Sequence, residues 1–169
     1  MADLVFNKFK QALGGGSFGS TPSALQQILI WDSDVSGAST VKMMLISGNL
    51  AGVSNAVDLD NVTAILAEAG ISEYSGAYTR ASVTSRQVTV NDTNNRSEFD
   101  AADITFSALP AGSANCDGLL VYWQVGNTAG DADNTPLIYF DLLGATASFM
   151  GNGGDVTIQF NANGVVQVT

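Results

Sequence analysis

The sequence predicts a mainly β protein: an antiparallel β-sandwich of jelly-roll type, with a short N-terminal helix and one further short helix. Three observations carry this expectation. Apolar residues recur in short runs, alternating or continuous, and none is long enough for an extended helix. Eighteen glycines against three prolines supply many tight turns. Asn, Asp and Ser cluster between the apolar runs, where their side chains bond to nearby backbone.

The elements follow in chain order. Phe6, Phe9 and Leu13, spaced three and four apart, form one face of an expected first helix. Asp3 stands at its N-cap, and Gly14, Gly15 and Gly16 end it. Residues 14–23, GGGSFGSTPS, read as a flexible connector. Leu25 to Trp31 and Val41 to Ser47 read as strands, separated by the turn-rich DSDVSGAST. A second helix is expected from about Asn61 to Ala69, capped by Asp58 or Asp60 and stopped by Gly70. Val62, Ile65, Leu66 and Ala69 are its inward positions.

From Tyr74 onward every signal is β. Val88 and Val90, the turn NDTNN at 91–95 and the return Arg96 to Asp100 make a hairpin. Ile104 and Phe106 alternate with polar neighbours. Gly118 to Val125 and Pro136 to Leu143 are nearly continuous apolar runs, as in strands covered on both faces. Last, Val156, Ile158 and Phe160, the turn signal Asn163-Gly164, and Val166 and Val168 read as a terminal hairpin. The sum is about nine or ten short strands, which suits a two-layer sandwich. Residues 1–23 are expected to be an N-terminal helix and glycine-rich arm, and residues 24–169 a single sandwich domain.

Composition narrows the function. The chain has no histidine, the commonest general base and metal ligand at neutral pH. Ser-His-Asp and Cys-His chemistry and the usual zinc sites are therefore not expected. The formal net charge of −10 disfavours nucleic acid, whose phosphates are bound through Lys and Arg, and anionic membrane surfaces. The single Cys116 forms no internal disulfide, in keeping with a reducing cytoplasm. MADLVFNKFKQAL lacks the continuous apolar core of a signal peptide, and no window reaches the ~18 apolar residues of a membrane span. A soluble protein made in a cytoplasm is expected.

The local motifs each have a blander reading that fits better. Gly14, Gly16 and Gly19 spell G-x-G-x-x-G, but they follow a helix, whereas the dinucleotide fingerprint sits between a strand and a helix. Gly15, Ser17 and Gly19 spell a nucleophile elbow without the histidine it needs. Residues 32–37, DSDVSG, match the first half of a calcium loop, yet its twelfth position is Met43 in place of a bidentate carboxylate. Asp131 to Asn134 and Asn152 to Asp155 are further oxygen-rich turns. The sixteen carboxylates mostly sit beside Gly, Asn or Ser in expected turns, so a glycosidase pair is a weak reading. Trp31, Tyr122, Trp123 and Tyr139 invite a sugar-stacking reading, but Trp123 and Tyr139 lie in strongly apolar strands and read as core. Lys8 and Lys10 occupy the solvated side of the first helix. No catalytic, cofactor-binding or metal-ligating residue is assigned, and no cofactor is expected.

Several segments together resemble a family of small β-rich proteins of tailed bacteriophages, identified as head decoration (cement) proteins. Phe6 to Leu13 resembles the family's opening FNKFKxxL, and Val41 to Ile46 its strand IKVALL. Glu73-Tyr74-Ser75-Gly76-Ala77-Tyr78-Thr79-Arg80 resembles its E-x-S-G-x-x-Y-T stretch. Asn95 to Phe106 is similar to its block ending F-D-A-x-D-[IV]-T-[FW]. Pro136 to Asp141 and Val156 to Gly164 resemble its PLI-x-x-x-D and FTIQW-N-A-x-G segments. Order is preserved across most of the chain, while residues 14–40 and 47–60 depart from the pattern.

The resemblance implies a non-enzymatic virion protein on the outer capsid surface, stabilising the expanded shell. Its implied partners are the major capsid protein and copies of itself, as a dimer or trimer. Phe6, Phe9, Leu13 and Phe18 are the candidate capsid or subunit contacts, presented by the arm at residues 1–23, with packing of the helix on its own sandwich as the equal alternative. The competing reading is a carbohydrate- or receptor-binding β module on a tail or fibre.

Overall fold

The computed structural model describes residues 4–7, 9–10, 40–91, 96–124, 130–143, 147–160 and 166–168. The protein is mainly β. Its strands are β1 (Leu4–Val5), β2 (Thr40–Ser47), β3 (Ser72–Glu73), β4 (Ala81–Ser82), β5 (Gln87–Asn91) and β6 (Arg96–Asp100). They continue with β7 (Ile104–Phe106), β8 (Gly118–Gln124), β9 (Thr135–Asp141), β10 (Val156–Ile158) and β11 (Val166–Val168). An α-helix, α1 (Val62–Leu66), follows two 3-10 turns at Leu50–Gly52 and Ala56–Asp58, and Asn7, Phe9 and Lys10 near the N-terminus are also α-helical.

The principal sheet runs β1-β9-β8-β2-β3, with β4 also paired to β2, and every pairing is antiparallel. Its centre is built from the apolar runs. All of Gly118 to Trp123 is buried, as is Met43 to Ser47 of β2. Alternation sends side chains to opposite faces of the sheet. Met43, Leu45, Leu119 and Val121 join one cluster, closed by Tyr74, Val83, Ile104, Phe106 and Leu109. Met44, Ile46, Leu120, Tyr122 and Tyr139 join a second, closed by Leu50, Val62, Ile65 and Ile71. The sheet is thus buried on both sides, by helical turns on one and by loops and small β pieces on the other.

Two details set the strand alignment. The β8–β9 register shifts between Val121, opposite Ile138, and Tyr122, opposite Pro136. Leu137 is the extra residue, and Pro136, which has no N–H to give a ladder, sits at this bulge. Gly118 faces the Tyr139 ring, and a Cβ there would lie 2.1 Å from the Tyr139 hydroxyl oxygen. Only glycine lets that tyrosine fill the second cluster.

Several expectations are corrected. Leu4 and Val5 pair with Tyr139 and Ile138 as an edge strand, and Asp3, the expected cap, lies outside the described residues. A helical turn begins only after them, where Lys10 N–H donates to the Phe6 carbonyl at 3.1 Å. The cap of α1 is Asn61, whose side chain accepts from Ala64 N–H at 2.8 Å, in place of Asp58 or Asp60. Val62 and Ile65 face inward as expected, Leu66 is half-buried, and Ala69 is exposed. β5 and β6 pair antiparallel as read, with Gln87 opposite Asp100, while residues 92–95 of the expected turn lie outside the described residues.

The terminal hairpin is not seen among the described residues. β10 pairs with β7, setting Val156 opposite Phe106, while β11 pairs with β6, setting Val166 opposite Phe99. β10 and β11 therefore both run along the stretch 96–106, and Phe160 N–H donates to Asp103 at 3.0 Å. These ladders form a two-stranded and a three-stranded sheet separate from the principal one, and the sheets do not close on each other. The strand expected at Leu25 to Trp31, the connector at 14–23, the DSDVSG turn and the Asn163-Gly164 turn lie outside the described residues.

Candidate functional site

Phe6 and Phe9 are 0% and 1% exposed, buried within this chain. They also part company: Phe6 joins the cluster under the helical turns, and Phe9 the cluster on the opposite side. Phe6 and Phe9 thus pack within the chain itself, the alternative reading of this helix, because the path from β1 into the helical residues Asn7, Phe9 and Lys10 sends the two rings into separate cores. Residues 4–7 and 9–10 are tied to the principal sheet by β1 and by Phe6 N–H donating to Leu137 O at 3.1 Å. Leu13, Phe18 and the boundary at residue 23 lie outside the described residues. Trp123 and Tyr139 are core, 5% and 0% exposed, as their strands predicted.

The described polar side chains converge elsewhere, around Arg80. Its guanidinium donates to Glu73 through Nε (2.9 Å to Oε1) and Nη2 (2.6 Å to Oε2). It also donates to Asp131 through Nη2 (2.9 Å to Oδ2) and Nη1 (2.5 Å to Oδ1). The planar fork of arginine matches two carboxylates in this way, where a lysine ammonium would not. Nη1 also reaches the Tyr122 hydroxyl at 3.4 Å, and the guanidinium carbon lies 5.6 Å from the centre of the Tyr122 ring. Tyr78 donates its O–H to Glu73 at 2.7 Å and accepts Leu45 N–H at 2.9 Å. One cluster thus ties the loop after β3, the turn before β9 and the two central strands together.

A cleft of about 390 Å³ opens beside it, lined by Lys42, Tyr78, Thr79, Tyr122, Gln124 and Asn134 together with Glu73 and Arg80. Asn134 is 2% exposed and donates Nδ2 to Asp131 at 3.1 Å. That bond orients the amide, because a carboxylate accepts and never donates when ionised. The Asn134 Oδ1 is left with no hydrogen-bond partner among the described residues. An orphaned buried acceptor of this kind costs about 1–3 kcal/mol.

The electrostatics run against proton-transfer chemistry. Hydrogen bonding to Glu73, and then to Asp131, holds Arg80 above its ordinary value. The Arg80 hydrogen bond holds the Asp131 carboxyl below its own. Burial pushes the Tyr78 and Tyr122 hydroxyls up. A general acid or base works best with a pKa near the working pH, and all four shifts move away from neutrality. The arrangement locks charge in place and so serves to hold backbone segments in position.

The two described turns suspected of binding a cation, at 131–134 and 152–155, use oxygens on the chain itself. Asp131 binds Arg80, Asn152 Oδ1 accepts Gly154 N–H at 2.9 Å, and Asp155 accepts Ala108 N–H at 2.8 Å. Among the described residues, no three Cys, Asp or Glu side chains gather as a metal site would need. Sequence reading noted Glu73, Tyr78 and Arg80 only as part of a resemblance, and Asp131 only as a turn residue. The available signal was a Glu, a Tyr and an Arg within one short, otherwise uncharged stretch. Comparison with family models, with curated proteins and with solved structures finds no match to this chain.

Proposed function

We propose that this chain is a structural virion protein of a tailed phage, binding the outer capsid surface as a cement or decoration protein. Its partners are the major capsid protein and further copies of itself. In this reading the β7–β10 pair and the β5–β6–β11 sheet are the second layer of a sandwich over the principal sheet. The observation that carries the reading is the structural use of Glu73 to Arg80, the stretch that resembles the family's E-x-S-G-x-x-Y-T. Glu73, Tyr78 and Arg80 spend their polar atoms on one another, on Asp131 and on Leu45 N–H. Tyr74 in the same stretch donates to Pro110 O and accepts N–H from Gly112 and Gly151. A stretch whose polar atoms are used to clamp loops supports mechanical work over turnover. The charge of −10 is tolerable outside a shell, whereas facing packaged DNA it would be repelled.

The test is mass spectrometry of separated heads and tails from the particle that encodes the chain. The expected result is its recovery with heads at a fixed ratio to the major capsid protein. Recovery with tails alone would overturn the reading. The second reading, a carbohydrate-binding module of a tail or fibre, is favoured by the cleft at Lys42 and Asn134.

A further inference from the structure

We propose that the cleft beside Arg80 binds a sugar acid, a polyol that carries one carboxylate, with Lys42 and Asn134 as its recognising residues. The alignment of three strands brings the lining together. Lys42 is opposite Tyr122, Tyr122 is opposite Pro136, and Trp123 is opposite Thr135. Carrying that frame one residue on sets Gln124 beside Asn134. Antiparallel partners project to the same face, and so do residues two apart on one strand. Lys42, Tyr122, Gln124 and Asn134 therefore share one face at one end of the principal sheet, and all four line the cleft.

Two of these groups are unspent. No carboxylate among the described residues pairs with the Lys42 ammonium, whereas both carboxylates in the lining cluster are held by Arg80. The Asn134 Oδ1 is an acceptor without a partner, and its amide cannot turn over without setting an oxygen against Asp131. A ligand that satisfies both groups presents an anion to Lys42 and a hydroxyl donor to Asn134. A metal cation meets the opposite pattern, an ammonium and two carboxylates already neutralised. A simple carboxylate offers the charge without the donor, and a neutral sugar the donor without the charge. The space of about 390 Å³ lies within the range of small-ligand pockets and takes a pyranose ring. Oδ1 is shielded from solvent in this conformation, so the hydroxyl reaches it as the cleft wall yields. That cost, and the protein's overall negative charge, set the affinity low. The inference stands apart from the capsid reading, since neither requires the other.

The experiment is a titration of the purified full-length chain, followed by backbone amide NMR, with glucuronate, glucose and acetate as separate probes. Glucuronate is expected to saturate with a Kd on the order of 1 mM, and glucose and acetate to bind at least about tenfold more weakly. Lys42→Arg keeps the charge and retains binding. Lys42→Gln loses about tenfold, which is about 1.4 kcal/mol. Thermal melts check that both variants fold. If Lys42→Gln does not fold, the wild-type salt dependence takes its place, with affinity falling as NaCl rises. Absence of saturable glucuronate binding, equal binding of acetate or glucose, an unchanged Kd in folded Lys42→Gln, or a salt-independent Kd overturns the proposal.

Discussion

Replacing Arg80 with methionine keeps much of the side-chain stem and deletes the guanidinium. Four charge-assisted hydrogen bonds to Glu73 and Asp131 disappear together. The two carboxylates are left close together with no cation between them. Breaking a buried ion pair costs about 3–5 kcal/mol, while an exposed pair is worth about 0–1 kcal/mol. The three side chains are 21%, 30% and 22% exposed, between those limits and nearer the buried one. The expected loss is about 2–3 kcal/mol at neutral pH.

Urea unfolding of wild type and Arg80→Met, at neutral and at acid pH, measures that loss. Arg80 depresses the Asp131 pKa in the folded state. The stability this contributes is present above the unfolded carboxyl value of about 3.9, and it is lost as pH falls through the lower folded value. The variant has no cation to depress Asp131, so the gap between the two proteins narrows on acidification. A gap below about 0.5 kcal/mol at neutral pH, the range of ordinary surface changes, would refute the clamp. So would a gap that stays constant down to about pH 2.5, well below the ordinary carboxyl range.

Two further predictions concern the core. Phe6→Ala empties a fully buried position between the sheet and the helical turns, so it should cost about 3–5 kcal/mol in chemical unfolding. An unchanged midpoint would mean that residues 4–10 do not dock on the sheet. The Cys116 thiol is buried and its pKa is pushed up to about 12 by that burial. It should resist a thiol reagent near pH 8 in the native protein and react at once in urea; fast native labelling would contradict its placement.

The central strands were legible because their physics is local and redundant. In GLLVYWQ and TVKMMLIS nearly every position is apolar or small, so any alignment that buries both faces gives the same strand. The hairpin β5–β6 was legible because its turn residues adjoin the strands they join. The pairing of the last two strands was not legible for the complementary reason: β10 and β11 pair with β7 and β6, fifty or more positions away. At the N-terminus, helical spacing of Phe6 and Phe9 coincided with a path in which one ring enters each core.

Sequence alone determined the mainly β character, the two-sided central strands and a short helix within the stretch 61–69. Each of these depends on composition or on neighbours a few bonds apart. The tertiary structure decided which strands pair, where Phe6 and Phe9 go, and that Arg80 would meet Asp131 from 51 residues away while Asn134 kept an unspent oxygen. Those outcomes depend on desolvation and strand alignment summed over the whole sheet, and no local window of residues contains that sum.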